Sequence, residues 1–153
     1  MTTLTDDQKT ILNDEIANDP EAKGYAALLP NEPGNVVDLL NAKTETKVGL
    51  VNTTDLTLWA VEAAMRSVIE DVAQDKTSPL RDSALAILDV LRGASSGIDF
   101  ANPKNMQVLD AWQSLSKLSP ANRDSLLLAA TKPASRAEVL GLPYMTEELL
   151  RDR

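Results

Sequence analysis

The sequence predicts an all-α fold, a single-domain orthogonal array of helices spanning residues 1–153. Aromatic residues make up only 3% of the chain, so the core must consist mainly of Leu, Ala, Val, Ile and Met. That mixture suits helix-on-helix packing better than a β-sandwich. A capping residue followed by Pro marks the start of a helix, because the side chain caps free N–H groups and Pro fits the first helical position. Four such pairs occur: Asp19-Pro20, Ser78-Pro79, Asn102-Pro103 and Ser119-Pro120.

The first third of the chain is expected to form three helices. They are predicted over residues 6–18, 20–28 and 35–42. Thr5 and Gln8 have the spacing of a capping box at the first of them, and Pro30 ends the second. The following stretch is the least helical of the chain. It is interpreted as a loop or as a short extended segment at 44–51.

The middle of the chain is expected to supply the core. The longest helix is predicted over 55–75, with one buried stripe at three-four spacing. That stripe consists of Leu58, Val61, Met65, Val68 and Val72. A helix over 79–92 should end at Gly93. Its buried face should consist of Leu80, Ala84, Ile87, Leu88 and Leu91. A further helix is expected over 103–118, and Trp59 and Trp112 are expected to fill the core.

The last third predicts a helix over 120–131 and two short helices, over 136–141 and 146–152. The tail, residues 133–153, carries much apolar surface on elements too short to be stable alone. It either packs back on its own domain or docks on another protein. The candidate protein-contact residues lie in the extended segment and the tail. They are Val48, Leu50, Val51, Leu140, Leu142, Pro143, Tyr144, Met145, Leu149 and Leu150.

The residue types needed for common catalytic and metal sites are scarce. The chain has no His and no Cys, which removes Ser-His and Cys-His arrangements and the usual zinc ligands. Adjacent carboxylates such as Asp6-Asp7 point about 100° apart on a helix and serve as first-turn charges. We therefore expect no enzyme, no cofactor, no metal and no small-molecule substrate. A carboxylate site assembled only in three dimensions remains an alternative.

The net charge of −8 disfavours binding to nucleic acid and to anionic lipid. No apolar run approaches the ~20 residues that span a bilayer, and the first residues lack the pattern of a signal peptide. We expect a soluble protein that is kept in the cytosol or built into a particle there.

Three short motifs resemble a group of small tailed-bacteriophage proteins encoded near virion structural genes. They lie at residues 38–44, 97–103 and 133–142. The resemblance implies a non-enzymatic, virion-associated protein that binds other phage structural proteins or copies of itself. A place in the tail of the phage particle is favoured. It implies a location in the host cytoplasm during assembly and then in the virion. The alternative is an acidic inhibitor or regulator that binds a basic surface on a host or phage protein.

Overall fold

Short helices and two small strand pairs make up the fold of residues 3–153, the part of the chain that the computed structural model describes. The first elements are α1 (Asp6–Asn18), α2 (Tyr25–Leu28), α3 (Pro33–Asn41), β1 (Glu45–Val48), β2 (Leu50–Asn52), α4 (Thr53–Glu62) and α5 (Met65–Gln74). The remaining elements are α6 (Arg81–Leu91), β3 (Gly97–Asp99), α7 (Pro103–Ser114), α8 (Pro120–Ala129), β4 (Thr131–Ala134), α9 (Arg136–Val139) and α10 (Glu147–Arg151).

The fold is predominantly helical, with 58% of the chain in helices, but it is not strictly all-α. The described residues form two compact units. Unit 1 comprises the chain up to Lys47 together with Pro133–Arg153, and unit 2 comprises Val48–Lys132. The core expected on the middle helices is only one of two, because each unit has its own hydrophobic cluster. That the chain folds as one domain stays a prediction.

Most helix starts lie where the capping residues predicted them. The Thr5 side chain accepts from the Gln8 N–H at the start of α1, and Ser135 accepts from the Glu138 N–H at the start of α9. Both are complete capping boxes. Asn102 and Ser119 cap α7 and α8, each with Pro in the first turn. These local signals need no tertiary context, which explains why the sequence located them.

The other two pairs are exceptions. Helix α6 begins at Arg81 with Leu80 rather than Ser78 at its N-cap, and the helix predicted over 20–28 is wrong in its first half. Asp19 adopts a left-handed conformation with φ of 40°. Its carboxylate accepts hydrogen bonds from the backbone N–H groups of Lys23 and Gly24, both at 2.7 Å. Asp19 therefore holds a turn together, and helix α2 begins only at Tyr25.

The predicted long helix over 55–75 is also wrong, because it is broken into α4 and α5. The break lies at Ala63 and Ala64, and Ala64 has a left-handed φ of 52°. The predicted stripe divides at this point: Met65 and Val72 are buried, whereas Leu58 and Val61 are exposed. Helix α4 buries a different face, formed by Leu56, Trp59 and Ala60.

Strands β2 and β3 pair antiparallel and form one wall of unit 2. The register sets Leu50 opposite Asp99, Val51 opposite Ile98 and Asn52 opposite Gly97. Strand β1 pairs with β4 in the second sheet. The extended character of 44–51 is confirmed, although it is divided between two strands, while β3 and β4 were not predicted. Strands of three or four residues carry too few side chains to show an alternating pattern.

Trp59 and Trp112 fill the core of unit 2 as expected, whereas the helix predicted over 103–118 ends earlier, at Ser114. Trp59, Phe100 and Trp112 are buried in unit 2, together with the apolar residues of α5 and α6. In α6 the buried face contains Leu80, Ala84 and Leu88, with Ile87 and Leu91 partly buried. Gly93 follows this helix with φ of 86°, the left-handed conformation that commonly ends helices. The burial of this face and the stop at Gly93 confirm the prediction for α6.

Candidate interaction surfaces

The tail residues proposed as protein contacts lie mostly inside unit 1. Leu142, Met145, Leu149 and Leu150 are buried in its hydrophobic cluster, and Leu140 is partly buried against it. Pro143 is half-buried, and Tyr144 alone among the tail candidates is exposed, at 78%. Of the two alternatives for the tail, the structure has the first: the tail packs within its own unit.

Hydrogen bonds fix the tail as well. The Asn41 side chain of α3 donates to the Met145 carbonyl and accepts from the Met145 N–H, both at 2.9 Å. An amide side chain that pairs with both backbone groups of one residue imitates a strand contact. Thr146 then caps α10, whose Leu149 and Leu150 enter the core. These two residues are buried within unit 1, and their role as protein contacts stays a prediction.

The candidate contact residues of the extended segment are buried or partly buried. Val51 is fully buried, and Val48 and Leu50 are partly buried. The Gly49 N–H donates to the Ala130 carbonyl at 2.9 Å, and the Gly49 carbonyl accepts from the Phe100 N–H at 3.1 Å. These two bonds pair both backbone groups of Gly49 within unit 2. The role of the segment as a protein contact stays a prediction.

Unit 1 contains a buried ion pair that the sequence did not reveal. Arg136 of α9 donates to both carboxylate oxygens of Glu15 in α1, at 2.9 and 2.8 Å. The same guanidinium lies 3.5 Å from Glu45 and 3.6 Å from Glu21. The Tyr25 hydroxyl donates to Glu15 at 3.3 Å. Arg136 lies 121 positions from Glu15 in the sequence, so no local spacing could have identified this ion pair.

The charges of this network shift its pKa values in the expected directions. Hydrogen bonding to Glu15 is the largest cause that raises the pKa of Arg136. Burial, followed by the negative charge of Glu15, raises the pKa of the Tyr25 hydroxyl. The arrangement holds α1, α9 and β1 together, because the Arg136 guanidinium contacts both Glu15 and Glu45. Among residues 3–153, no group of three or more Asp or Glu residues could hold a metal ion.

A groove lies between α4 and α8 in unit 2. Its volume is about 500 Å³. The lining residues are Asp55, Leu58, Trp59, Glu62, Ala63, Asn122, Ser125 and Ala129. Leu58 is 55% exposed. Val61 at 64% and Leu128 at 73% lie on the same two helices, about one turn from lining residues.

The groove has a polar floor and acidic edges. The Trp59 indole N–H donates to the Asn122 carbonyl and to the Ser125 hydroxyl, both at 3.0 Å, which joins α4 to α8. The carboxylates of Asp55 and Glu62 are exposed at the edge of α4. Neither of them forms an ion pair with any residue of the described chain. Sequence reasoning missed this surface because the stripe through Leu58 and Val61 was expected to be buried.

Comparison with protein-family models, with curated proteins and with solved structures finds no match. Within the described part of the chain, no helix has the length and apolar character to cross a membrane.

Proposed function

We propose that the protein is a non-enzymatic bacteriophage structural or assembly protein that binds other proteins through the groove between α4 and α8. The observation that carries the proposal is the exposed Leu58, which lines the groove beside Ala63 and Ala129. Val61 and Leu128 add exposed apolar surface on the same two helices. Single exposed apolar residues are ordinary, whereas several on one concave surface with a polar rim are typical of contact sites.

The edges of the groove indicate the chemistry of the partner. Asp55 and Glu62 place two negative charges beside the apolar side chains. A partner segment with apolar residues and a flanking Lys or Arg would complement both features. A helix of the partner could lie between α4 and α8, because an amphipathic helix fits a hydrophobic groove of this kind.

The assignment to a bacteriophage rests on the resemblance of residues 38–44, 97–103 and 133–142 to small proteins encoded near virion structural genes. That resemblance favours a virion-associated protein in the tail of the phage particle. Its partners would be other phage structural proteins or copies of itself. The protein would be present in the host cytoplasm during assembly and afterwards in the particle.

The test combines quantitative mass spectrometry of purified phage particles with groove variants. We expect peptides of this chain at a fixed ratio to the major capsid and tail proteins. Leu58→Glu and Ala129→Glu should lower that ratio at least tenfold, because each places a charge in the groove. Leu115→Glu is the matched control, since Leu115 is 49% exposed in unit 2 but does not line the groove.

Particles that lack the protein would contradict a virion role. Particles that incorporate both groove variants at the normal ratio would contradict the groove as the contact. Circular dichroism of each purified variant separates a lost contact from a lost fold.

The acidic regulator is the second candidate, and the charge distribution favours it. Unit 1 has thirteen acidic and seven basic residues, against ten and eight in unit 2. Asp6, Asp7 and Asp14 are exposed on α1. A basic partner bound to this surface should dissociate steeply as salt rises, because exposed charges are screened within about 10 Å at 0.1 M. A complex that is insensitive to salt would favour the apolar groove instead.

A further inference from the structure

Unit 2 contains a second concave feature, an apolar cleft among α6, β3 and α7, with a volume of about 290 Å³. Buried Trp59, Phe100 and Trp112 line its inner part. Partly exposed Ile87, Val90 and Val108 line its mouth. Protein interiors are packed closely and rarely leave voids much larger than a water molecule. An apolar space of this size that reaches solvent is therefore a candidate binding site.

Hydrogen bonds within the protein occupy the indole N–H groups that line the cleft. Trp112 donates to the Ser83 hydroxyl at 2.8 Å, which links α7 to α6, and Ser83 donates in turn to the Leu80 carbonyl at 2.7 Å. Trp59 donates to acceptors on α8. Because these donors are already paired, the inner part of the cleft offers a ligand aromatic and aliphatic surface only.

The mouth of the cleft carries a negative charge. Asp99 is exposed there, and its carboxylate accepts from the Ala101 N–H at 2.9 Å. The Asn105 amide of α7 donates to the Asp99 carbonyl at 2.7 Å, which joins α7 to the end of β3. A ligand that ends beside Asp99 would gain from a hydrogen-bond donor or a positive charge and would be repelled if it carried a carboxylate.

We propose that this cleft binds a small neutral or cationic amphiphile, with its apolar chain or ring between the two Trp side chains and its donor group at Asp99. At roughly 30 Å³ for each non-hydrogen atom, the volume holds about ten such atoms. This binding is additional to the protein contact proposed for the groove between α4 and α8, and Trp59 lines both sites.

The chain provides its own reporter, because Trp59 and Trp112 are its only Trp residues and both line the cleft. We would titrate the full chain with 1-octanol, octylamine and octanoate and follow Trp emission. The proposal predicts saturable changes with octylamine and 1-octanol, and at least tenfold weaker binding of octanoate. A lack of saturable change with all three probes, or equal binding of octanoate, would overturn it.

Two variants with a matched control locate the binding. Val90→Phe should fill the mouth and weaken 1-octanol binding at least tenfold. Leu85→Phe should not, since Leu85 lies on the same helix but does not line the cleft. Asp99→Asn should keep 1-octanol binding and remove the discrimination against octanoate. Unchanged binding by folded Val90→Phe, or unchanged discrimination by Asp99→Asn, would contradict the site. If Val90→Phe does not fold, Asp99→Asn decides the outcome.

Discussion

Unit 1 and unit 2 are stabilised by different means, and the contrast follows from the lengths of their helices. Within residues 3–153, two polar or charged residues are buried, Glu15 and Ser135. Both belong to unit 1. Its helices α2, α9 and α10 have only four or five residues each. Helices this short bury little apolar area, so paired polar groups must fix where they lie.

Unit 2 relies on apolar volume instead. Its helices have ten to twelve residues, and its core contains both Trp side chains and Phe100. The loss of one partner in a buried ion pair leaves an uncompensated charge, whereas an exposed pair contributes little. The comparison therefore predicts that charge substitutions will destabilise unit 1 and that backbone and packing changes will destabilise unit 2.

Removal of the Arg136 charge should have the largest effect. Arg136→Met leaves the buried carboxylate of Glu15 without its cation, which should lower the free energy of unfolding by about 3–5 kcal/mol. The double variant Glu15→Leu/Arg136→Met removes both charges and should recover much of that loss. Urea unfolding followed by circular dichroism gives the free energies, and hydrogen exchange of peptides from α1 and α9 shows whether the loss lies in unit 1.

The matched control is the Arg123–Asp110 pair of unit 2, which is just as close, at 2.6 Å, but has Asp110 58% exposed. Arg123→Met should cost at most about 1 kcal/mol. Equal losses for the two Arg variants, or a double variant no more stable than Arg136→Met, would remove the contrast between the units.

A single methyl group in unit 2 should have the next largest effect. Gly97 has φ of 147°, and a Cβ there would lie 2.0 Å from the Val51 carbonyl oxygen. Gly97→Ala must therefore separate β2 from β3, at a cost of at least about 2 kcal/mol. Urea unfolding followed by Trp emission measures the loss, because both Trp residues lie in unit 2.

Gly49→Ala is the control for this variant, since nothing lies within 4 Å of a Cβ at Gly49 and both of its backbone hydrogen bonds remain possible. We expect its stability to stay close to that of the original chain. If Gly97→Ala were as stable as Gly49→Ala, the close approach of β3 to β2 would not exist in solution.

High pH should weaken unit 1 through Tyr25. Burial and the charge of Glu15 raise the pKa of this hydroxyl in the folded protein. The unfolded chain then ionises first, above the ordinary pKa of about 10, and stability falls as pH rises through that value. We expect a loss on the order of 1 kcal/mol between pH 10 and 11. Tyr25→Phe should remove this loss, although the lost hydrogen bond should make it less stable at pH 7 by about 1–2 kcal/mol.

Tyr144→Phe serves as the reference, because Tyr144 is 78% exposed. This substitution should leave the loss of stability at high pH unchanged. Stability curves at pH 7, 10 and 11 distinguish the two variants. Parallel curves for Tyr25→Phe and Tyr144→Phe would show that Tyr25 ionises as readily in the folded protein as in the unfolded one.

The features that the sequence located are those set by neighbours in the chain. The capping boxes at Thr5 and Ser135 and the stop at Gly93 each depend on residues within one helical turn. The features that it missed depend on distant residues. Arg136 meets Glu15 across 121 positions, and the groove exists because α8 packs beside α4. The tail showed the same limit, since its apolar pattern fits burial and docking equally well.

The missed break between α4 and α5 is the prediction error with the largest consequence. Substitutions at this break should have the smallest effect on stability. Ala64 holds a left-handed conformation, which costs an L-residue other than Gly about 1–2 kcal/mol. Ala64→Gly should recover up to about 1 kcal/mol. Ala63→Gly, one residue earlier at φ of −83°, should instead cost about 0.5–1 kcal/mol. Urea unfolding followed by Trp emission measures both. Opposite signs at adjacent alanines would establish the break, and hence the exposure of Leu58 and Val61. Equal losses at both positions would indicate a continuous helix that buries the stripe and closes the groove.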